Sequence, residues 1–208
     1  QAYGKYHIVP KRLGIDLMSV SGHKLHGPKG VGFLYMRDKA KVRPLIYGGG
    51  QQKGFRSGTE NVPGIVGYGK AAEIAAKTMK ERTAKEIELR DHLIDRVLAE
   101  VPYTRLNGHR TNRLPNNANF SFQFVEGESL LILLDNNGIC ASGSLDPSHV
   151  LLAIGLPHEI AHGSLRLTLS AETTMEDIDF VVDCIKQIIE RLRSMSPLYE
   201  DFVKKNQK

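Results

Sequence analysis

Two short apolar segments near the start of the chain constrain its fold more than any other feature. Residues 13–20 and 30–36 each have the length and apolar content of a buried strand, and a polar turn at 21–29 separates them. Two neighbouring strands cannot bury their own faces, and no alternating strands and helices precede them. We therefore expect them to belong to a larger α/β sheet whose other strands this sequence does not supply, as in a piece of a longer protein.

The rest of the chain is typical of a long helix followed by a compact α+β unit. The long helix is predicted over residues 64–100 and ends at Val101-Pro102. The elements predicted after it are strands at 119–124, 139–141 and 164–169, a helix at 129–136, and a helix at 149–154 with Asp146 as cap and Pro147 at its first position. We place the two domains at residues 1–74 and 75–208.

The last predicted helix has the clearest pattern. Thr173 and Glu176 have the spacing of a capping box, in which each side chain bonds the backbone of the other residue. Apolar residues then recur at offsets of three and four from Ile178 to Leu192, which predicts a core-facing stripe. Cys184 lies beside this stripe, and we expect it to pack as a small apolar residue.

Composition and charge narrow the class of protein. The net charge is +5, but the positive residues are scattered and Trp is absent, so we favour a globular protein over one that binds nucleic acid. No segment approaches the roughly 18 apolar residues of a membrane span. The only two cysteines, Cys140 and Cys184, cannot make a disulfide framework or a four-cysteine zinc site, and no metal-ligand spacing is seen. These features predict a soluble cytoplasmic protein without a metal site.

The turn between the first two strands contains the most informative motif, Ser21-Gly22-His23-Lys24. It follows a buried strand, where α/β proteins place their ligand sites. A lysine held among polar groups can become a nucleophile, while a hydroxyl and an imidazole N–H can hold a phosphate. The alternative interpretation is an ordinary surface turn with a solvated lysine.

This motif resembles the lysine segment of class V enzymes with the aminotransferase fold, and most closely that of the NifS- and IscS-like cysteine desulfurases. The resemblance covers nearly the whole chain. Its further motifs are Gly48-Gly49-Gly50-Gln51, Arg56-Ser57-Gly58-Thr59-Glu60-Asn61, Leu145-Asp146-Pro147-Ser148 and Ala161-His162-Gly163-Ser164-Leu165-Arg166. The resemblance implies the type I fold of pyridoxal-phosphate-dependent transferases, with this chain forming the C-terminal part of the large domain and the small α+β domain.

The resemblance also implies a cofactor site for pyridoxal 5′-phosphate. Lys24 would carry the cofactor covalently, and Ser21 and His23 would bind its phosphate. Gln1 matches the family glutamine that hydrogen-bonds the phenolic oxygen of the cofactor. The family's stacking histidine and the aspartate that pairs with the pyridine nitrogen are upstream of that glutamine and absent here. We therefore expect these 208 residues alone to be inactive.

Two further residues are given roles by the resemblance. Thr59 would reach the cofactor phosphate of a neighbouring subunit, which implies a homodimer with shared active sites. Arg166 would bind the substrate carboxylate, because the guanidinium fork pairs with both carboxylate oxygens. The local alternatives are a turn hydrogen bond for Thr59 and a surface ion pair for Arg166.

The chain departs from the family pattern at the nucleophilic cysteine. In the family this cysteine lies in a mobile Ser/Gly-rich loop, but the corresponding interval here, residues 141–144, contains none. Cys140 aligns with the strand before the loop and is the less favoured candidate. We expect that loop residues with the reactive cysteine are missing from this sequence, and the rival explanation is a natural deletion.

The function implied by the resemblance is conversion of L-cysteine to L-alanine, with transfer of a persulfide to an iron–sulfur scaffold protein. Two alternatives stay open. One is another class V enzyme, such as a selenocysteine lyase or an aminotransferase, and the other is an inactive truncated scaffold.

Overall fold

A computed structural model of the chain describes residues 1–38, 40–143 and 146–206. The chain divides into two compact units, Gln1–Glu81 and Arg82–Lys208, which we describe separately. Helix α1 (Val62–Glu100, 39 residues) begins in the first unit and ends in the second. The predicted domain boundary after residue 74 lies in this same helix and stays a prediction.

The first unit contains an antiparallel pair of strands, β1 (Leu17–Ser21) and β2 (Gly32–Met36). β1 begins four residues later than predicted, because residues 10–14 form a turn in which Gly14 has a φ of +68°. A 3₁₀ helix at Gly22–Leu25 follows β1, and a second one at Gln51–Gly54 precedes α1. Val20, Leu25 and Tyr68 form a small apolar core in this unit.

The second unit is built on a three-stranded antiparallel sheet. Its order is β3 (Thr104–Leu106), β4 (Asn117–Phe122) and β5 (Ser164–Thr168). One face of this sheet is apolar, and its Phe120, Phe122 and Leu165 are completely buried. Residues of α1, α2 (Gly127–Asp135) and α5 (Met175–Ser194) complete that core. The remaining helices are α3 (His149–Ala153), α4 (His158–His162) and α6 (Pro197–Asn206).

Several predicted elements differ in detail. The strand expected at 139–141 is not formed, and the chain instead makes an isolated bridge between Ser142 and Arg166. The strand expected at 119–124 ends at Phe122, and Phe124 has a φ of +65° that no strand allows. The α3 cap is Ser148 rather than Asp146, because the backbone of Ser148 (φ −55°, ψ 123°) is not helical and the helix begins at His149.

The capping box of α5 lies one residue later than predicted. Thr174 is the cap: its Oγ1 accepts from the Asp177 N–H at 3.1 Å, and Asp177 Oδ2 accepts from the Thr174 N–H at 2.9 Å. The proposed pair of Thr173 and Glu176 was wrong because Thr173 closes the preceding turn, where its Oγ1 accepts from the Ser170 N–H. The predicted apolar stripe is confirmed, since Ile178, Ile185 and their neighbours on this face are buried.

None of the helices within the described ranges combines the length and the apolar character that crossing a lipid bilayer requires.

Candidate functional site

At the end of β1, Gly22 and Leu25 of the lysine motif are buried, whereas its polar side chains are exposed. Leu25 is buried against Val20 and Tyr68, which anchors the 3₁₀ helix. Position 22 is crowded for any side chain, because a Cβ there would lie 3.0 Å from the Val31 carbonyl oxygen and 3.1 Å from the Pro28 carbonyl oxygen. The Gly22 N–H donates to the same oxygen at 2.8 Å. This packing fixes the motif at the end of the strand.

Ser21, His23 and Lys24 are brought together at this end of the strand, and all three are exposed. None of their side chains has a hydrogen-bond partner among residues 1–38, 40–143 and 146–206. A hydroxyl, an imidazole and an amine are thus free to bind a ligand. This donor set suits a phosphate group beside an aldehyde, because a phosphate is held by several donors and an amine reacts with an aldehyde.

Gln1 and Thr59 are also exposed, and in the described part of the chain neither is hydrogen-bonded to Lys24. Thr59 lies in the loop before α1. Hydrogen bonds within this loop stabilise it. Ser57 Oγ donates to the Gly49 carbonyl at 2.7 Å, and Gln52 donates to Glu60 at 2.8 Å. The roles of Gln1 and Thr59 stay predictions.

Arg166 lies in the second unit, on the edge strand β5. On one side its strand pairs with β4, where Asn119 is its direct partner. On the other side the Arg166 N–H donates to the Ser142 carbonyl at 2.7 Å, and the Ser142 N–H donates to the Arg166 carbonyl at 3.1 Å. The guanidinium Nη2 also donates to Ser142 Oγ at 3.1 Å. The side chain of Arg166 is exposed, and Ser142 holds both its backbone and one guanidinium nitrogen.

A cavity of about 720 Å³, which we call the β5 cavity, opens beside Arg166. Its wall includes Asn107, Asn119, Ser142, Asp146, His149 and Arg166. Within the described ranges, no carboxylate lies within ion-pair distance of Arg166. A guanidinium on a cavity wall without an anionic partner is suited to bind the carboxylate of a small ligand.

A second arginine on the wall of the β5 cavity, Arg113, has a different role. Its three guanidinium nitrogens donate to the backbone carbonyls of Asn117, His109 and Asn107 at 2.9, 3.1 and 3.2 Å. Burial, followed by the charges of Arg90 and Arg110, lowers the pKa of Arg113. Arg113 therefore supports the loop before β4, and Arg166 is the arginine placed to bind a ligand.

Sequence reasoning missed two residues of this cavity, Asn107 and Asn119. Asn107 is 4% exposed, and its Nδ2 donates to Asn119 Oδ1 at 2.7 Å and to Ser121 Oγ at 2.9 Å. The signal was present in β4, where Asn117, Asn119 and Ser121 alternate with buried apolar residues. In a strand whose first face is buried in the core, amide side chains on the second face are candidates for binding a ligand.

The two cysteines differ in exposure. Cys184 packs partly buried against the core, and burial, followed by the charge of Asp183, raises the pKa of its thiol. Cys140 is exposed and lies two residues before Ser142. Ser144 and Leu145, which belong to the predicted loop interval and the following motif, lie outside the described residues. No group of three His, Cys, Asp or Glu side chains that could hold a metal ion occurs in the described part of the chain.

Comparison with known proteins relates the chain to one family. The sequence model of "Aminotransferase class-V" matches residues 1–181. The cysteine desulfurase IscS of Clostridium botulinum is 54% identical over 213 residues, covering 98% of this chain and 54% of that protein. Since this chain has 208 residues, that relative carries residues without a counterpart here.

Solved structures share the fold. A NifS-like protein superimposes with a TM-score of 0.83 at 38% identity, over 91% of this chain and 50% of that one. The X-ray structure of a NifS-like protein from Rickettsia africae gives a TM-score of 0.85 at 33% identity, over 90% and 51% of the two chains. The predicted fold class is confirmed, and the chain spans about half the length of the relatives that it matches.

Proposed function

Because this chain belongs to the class V aminotransferase family, we propose that the whole protein is a cysteine desulfurase. It would convert L-cysteine to L-alanine and pass the sulfur as a persulfide to an iron–sulfur scaffold protein. The observation that carries this proposal is the guanidinium of Arg166, which faces the β5 cavity without a carboxylate partner in the described chain. The similarity to a cysteine desulfurase along 98% of the chain supports cysteine as the substrate.

The lysine motif fits pyridoxal 5′-phosphate as the cofactor. Its exposed hydroxyl, imidazole and amine, contributed by Ser21, His23 and Lys24, match a phosphate and an aldehyde. Gln1 would bind the phenolic oxygen, and Thr59 would bind the phosphate across a homodimer interface. When bound, the cofactor withdraws electrons from the α-carbon of the substrate and stabilises the negative charge that develops there.

The residues of this chain would bind the substrate and move its proton. Arg166 would pair with both oxygens of the cysteine carboxylate and so orient the α-carbon. The Nζ of Lys24 would take the α-proton and later return it to the α-carbon, and the proton released when the attacking thiol ionises would go to the β-carbon, which yields alanine. Neither step needs a metal ligand.

Sulfur transfer requires a thiolate from the protein. The thiolate sulfur attacks the substrate sulfur, a sulfur–sulfur bond forms, and the carbon–sulfur bond breaks with its electron pair passing to carbon. Of the two cysteines in the chain, Cys140 is the exposed one, whereas burial raises the pKa of Cys184. A loop cysteine absent from this sequence is the other possible source of the thiolate.

The lack of a cysteine between residues 141 and 148 favours a second candidate function. The protein would then be another class V enzyme, such as a selenocysteine lyase or an aminotransferase, or a subunit that keeps the fold without desulfurase activity. Each of these candidates predicts no persulfide from cysteine.

The test is to incubate the complete, cofactor-loaded protein with L-cysteine and to quantify alanine and protein-bound persulfide. We expect the two products in equal amounts in a single turnover. Alanine without persulfide, or neither product, would reject the desulfurase. Assays with selenocysteine and with an amino-acid/oxo-acid pair then separate the remaining class V activities.

A further inference from the structure

We propose that Asn119 determines specificity in the carboxylate site by donating an amide N–H to the anion that Arg166 binds. This inference rests on the proposed function, in which Arg166 holds the carboxylate of the substrate. It adds a residue on the neighbouring strand, together with Asn107 as the residue that orients it.

The register of the sheet places the two side chains together. Asn119 of β4 and Arg166 of β5 are direct partners in the antiparallel ladder. Direct partners project their side chains to the same face, with their Cβ atoms about 4.5–5.5 Å apart. The intervening residues, Phe120 and Leu165, are fully buried on the opposite face. Both Asn119 and Arg166 therefore face the β5 cavity, and both are part of its wall.

Asn107 sets the orientation of the Asn119 amide. Its Nδ2 donates to Asn119 Oδ1 at 2.7 Å, so the acceptor end of Asn119 is occupied. The Asn119 Nδ2 has no hydrogen-bond partner among the residues that the structure describes. The donor end of this amide is therefore available to a ligand in the cavity.

The hydrogen bonds of Asn107 indicate that this orientation matters. Asn107 is 4% exposed, and its own Oδ1 is buried without a partner in the described chain. Leaving a buried carbonyl oxygen unpaired is unfavourable for folding. The orientation of Asn107 therefore lowers the stability of the fold, but it leaves the Nδ2 of Asn119 free to donate.

A neutral amide suits this position better than a carboxylate of the same size. An aspartate opposite Arg166 would form an ion pair with the guanidinium and compete with the carboxylate of the ligand. An amide adds a donor to the site and leaves the charge of Arg166 uncompensated. We infer that the pair selects ligands with a carboxylate over amines that lack one.

The test measures binding of L-alanine, the product, to the complete cofactor-loaded protein by titration calorimetry, with ethylamine as the analogue that lacks the carboxylate. In Asn119→Asp we expect L-alanine to bind at least about tenfold more weakly, because the new carboxylate pairs with Arg166, while ethylamine binds as in the unaltered protein. Asn136→Asp is the matched control, because Asn136 is exposed and lies outside the wall of the β5 cavity, and this variant should bind L-alanine unchanged.

A second variant, Asn119→Ser, keeps a small polar side chain and removes the amide. We expect its KM for cysteine to rise about threefold or more with kcat nearly unchanged, which a general loss of folding would not produce. Equal weakening of alanine and ethylamine, or unchanged alanine binding in Asn119→Asp, would overturn the inference. If the unaltered protein binds alanine with this selectivity but forms no alanine from cysteine, the proposed function fails and the inference stands.

Discussion

Ser142 and Arg166 are joined by three hydrogen bonds, two through the backbone at 2.7 and 3.1 Å and one between their side chains at 3.1 Å. The segment that follows Cys140 is therefore attached to the strand that carries the guanidinium. A contact of this kind keeps Arg166 in place at the edge of the sheet, where β5 has no further strand to pair with in the described chain.

Replacement of Arg166 tests its predicted role in substrate binding. In the complete protein, we expect Arg166→Ala to raise KM for cysteine about tenfold or more with a smaller change in kcat, because the paired hydrogen bonds to the carboxylate are lost. Arg166→Lys should recover part of the loss, since it keeps the charge but not the fork. Arg105→Ala is the control on β3, and steady-state alanine release is the measurement. An unchanged KM in Arg166→Ala would count against the role.

Lys24 is expected to be essential for cofactor attachment. Lys24→Ala should abolish the visible absorbance of the bound cofactor and the release of alanine, because the variant has no amine at this position. Lys29→Ala, an exposed lysine of the same turn, should keep both signals. Normal turnover by Lys24→Ala would end the assignment.

The capping box of α5 predicts a stability change that depends on pH. Thr174→Ala should lower the free energy of unfolding by about 1 kcal/mol. The hydrogen bonds from the Thr174 backbone and side chain lower the pKa of Asp177, so this carboxylate stabilises the fold above its unfolded pKa. That contribution is lost as the pH falls below about 4. Urea unfolding at several pH values measures it: Asp177→Asn should reduce the loss of stability on acidification, and Glu176→Gln should leave that loss unchanged.

Tyr68 predicts the opposite dependence on pH. Its buried hydroxyl has no partner in the described chain, and burial, followed by the charge of Tyr3, raises its pKa to about 12. A raised pKa contributes stability that is present below the ordinary value and lost as the pH rises through about 12. Tyr68→Phe should leave stability at neutral pH unchanged or higher by about 1 kcal/mol and reduce the alkaline loss.

Thermal unfolding between neutral and alkaline pH is the measurement for Tyr68→Phe. Tyr47→Phe is the control, since residue 47 is 78% exposed. A stability loss in Tyr68→Phe at neutral pH would show that the hydroxyl has a partner in the complete protein.

The elements predicted best are those whose pattern is local and long. The stripe of α5 repeats over five turns, and its phase determines which residues meet the core. The exact cap was one residue out, because Thr173 and Thr174 both have a suitable acidic partner three residues later. β3 was missed because its three residues carry too little pattern, and its place depends on pairing with β4.

The same physical distinction applies to the site. Ser21, His23 and Lys24 are neighbours in sequence, so one motif could identify them together. Asn107 and Asn119 are 12 residues apart and meet only through the register of β3 with β4. That register depends on burial of the whole sheet, which local sequence patterns do not encode.

Neighbouring positions of β4 and β5 lie on opposite faces of the sheet, so substitutions at them have different effects. In β4, residues 118, 120 and 122 face the core, whereas 117, 119 and 121 face the other way; in β5, the core-facing positions are 165 and 167. Substituting the core-facing set would lower stability, whereas substituting residues 117 and 119 of the second set would change the wall of the β5 cavity. A library restricted to residues 117 and 119 would therefore vary the cavity wall while leaving the apolar packing intact. Ser121 is excluded because it is completely buried and accepts a hydrogen bond from Asn107.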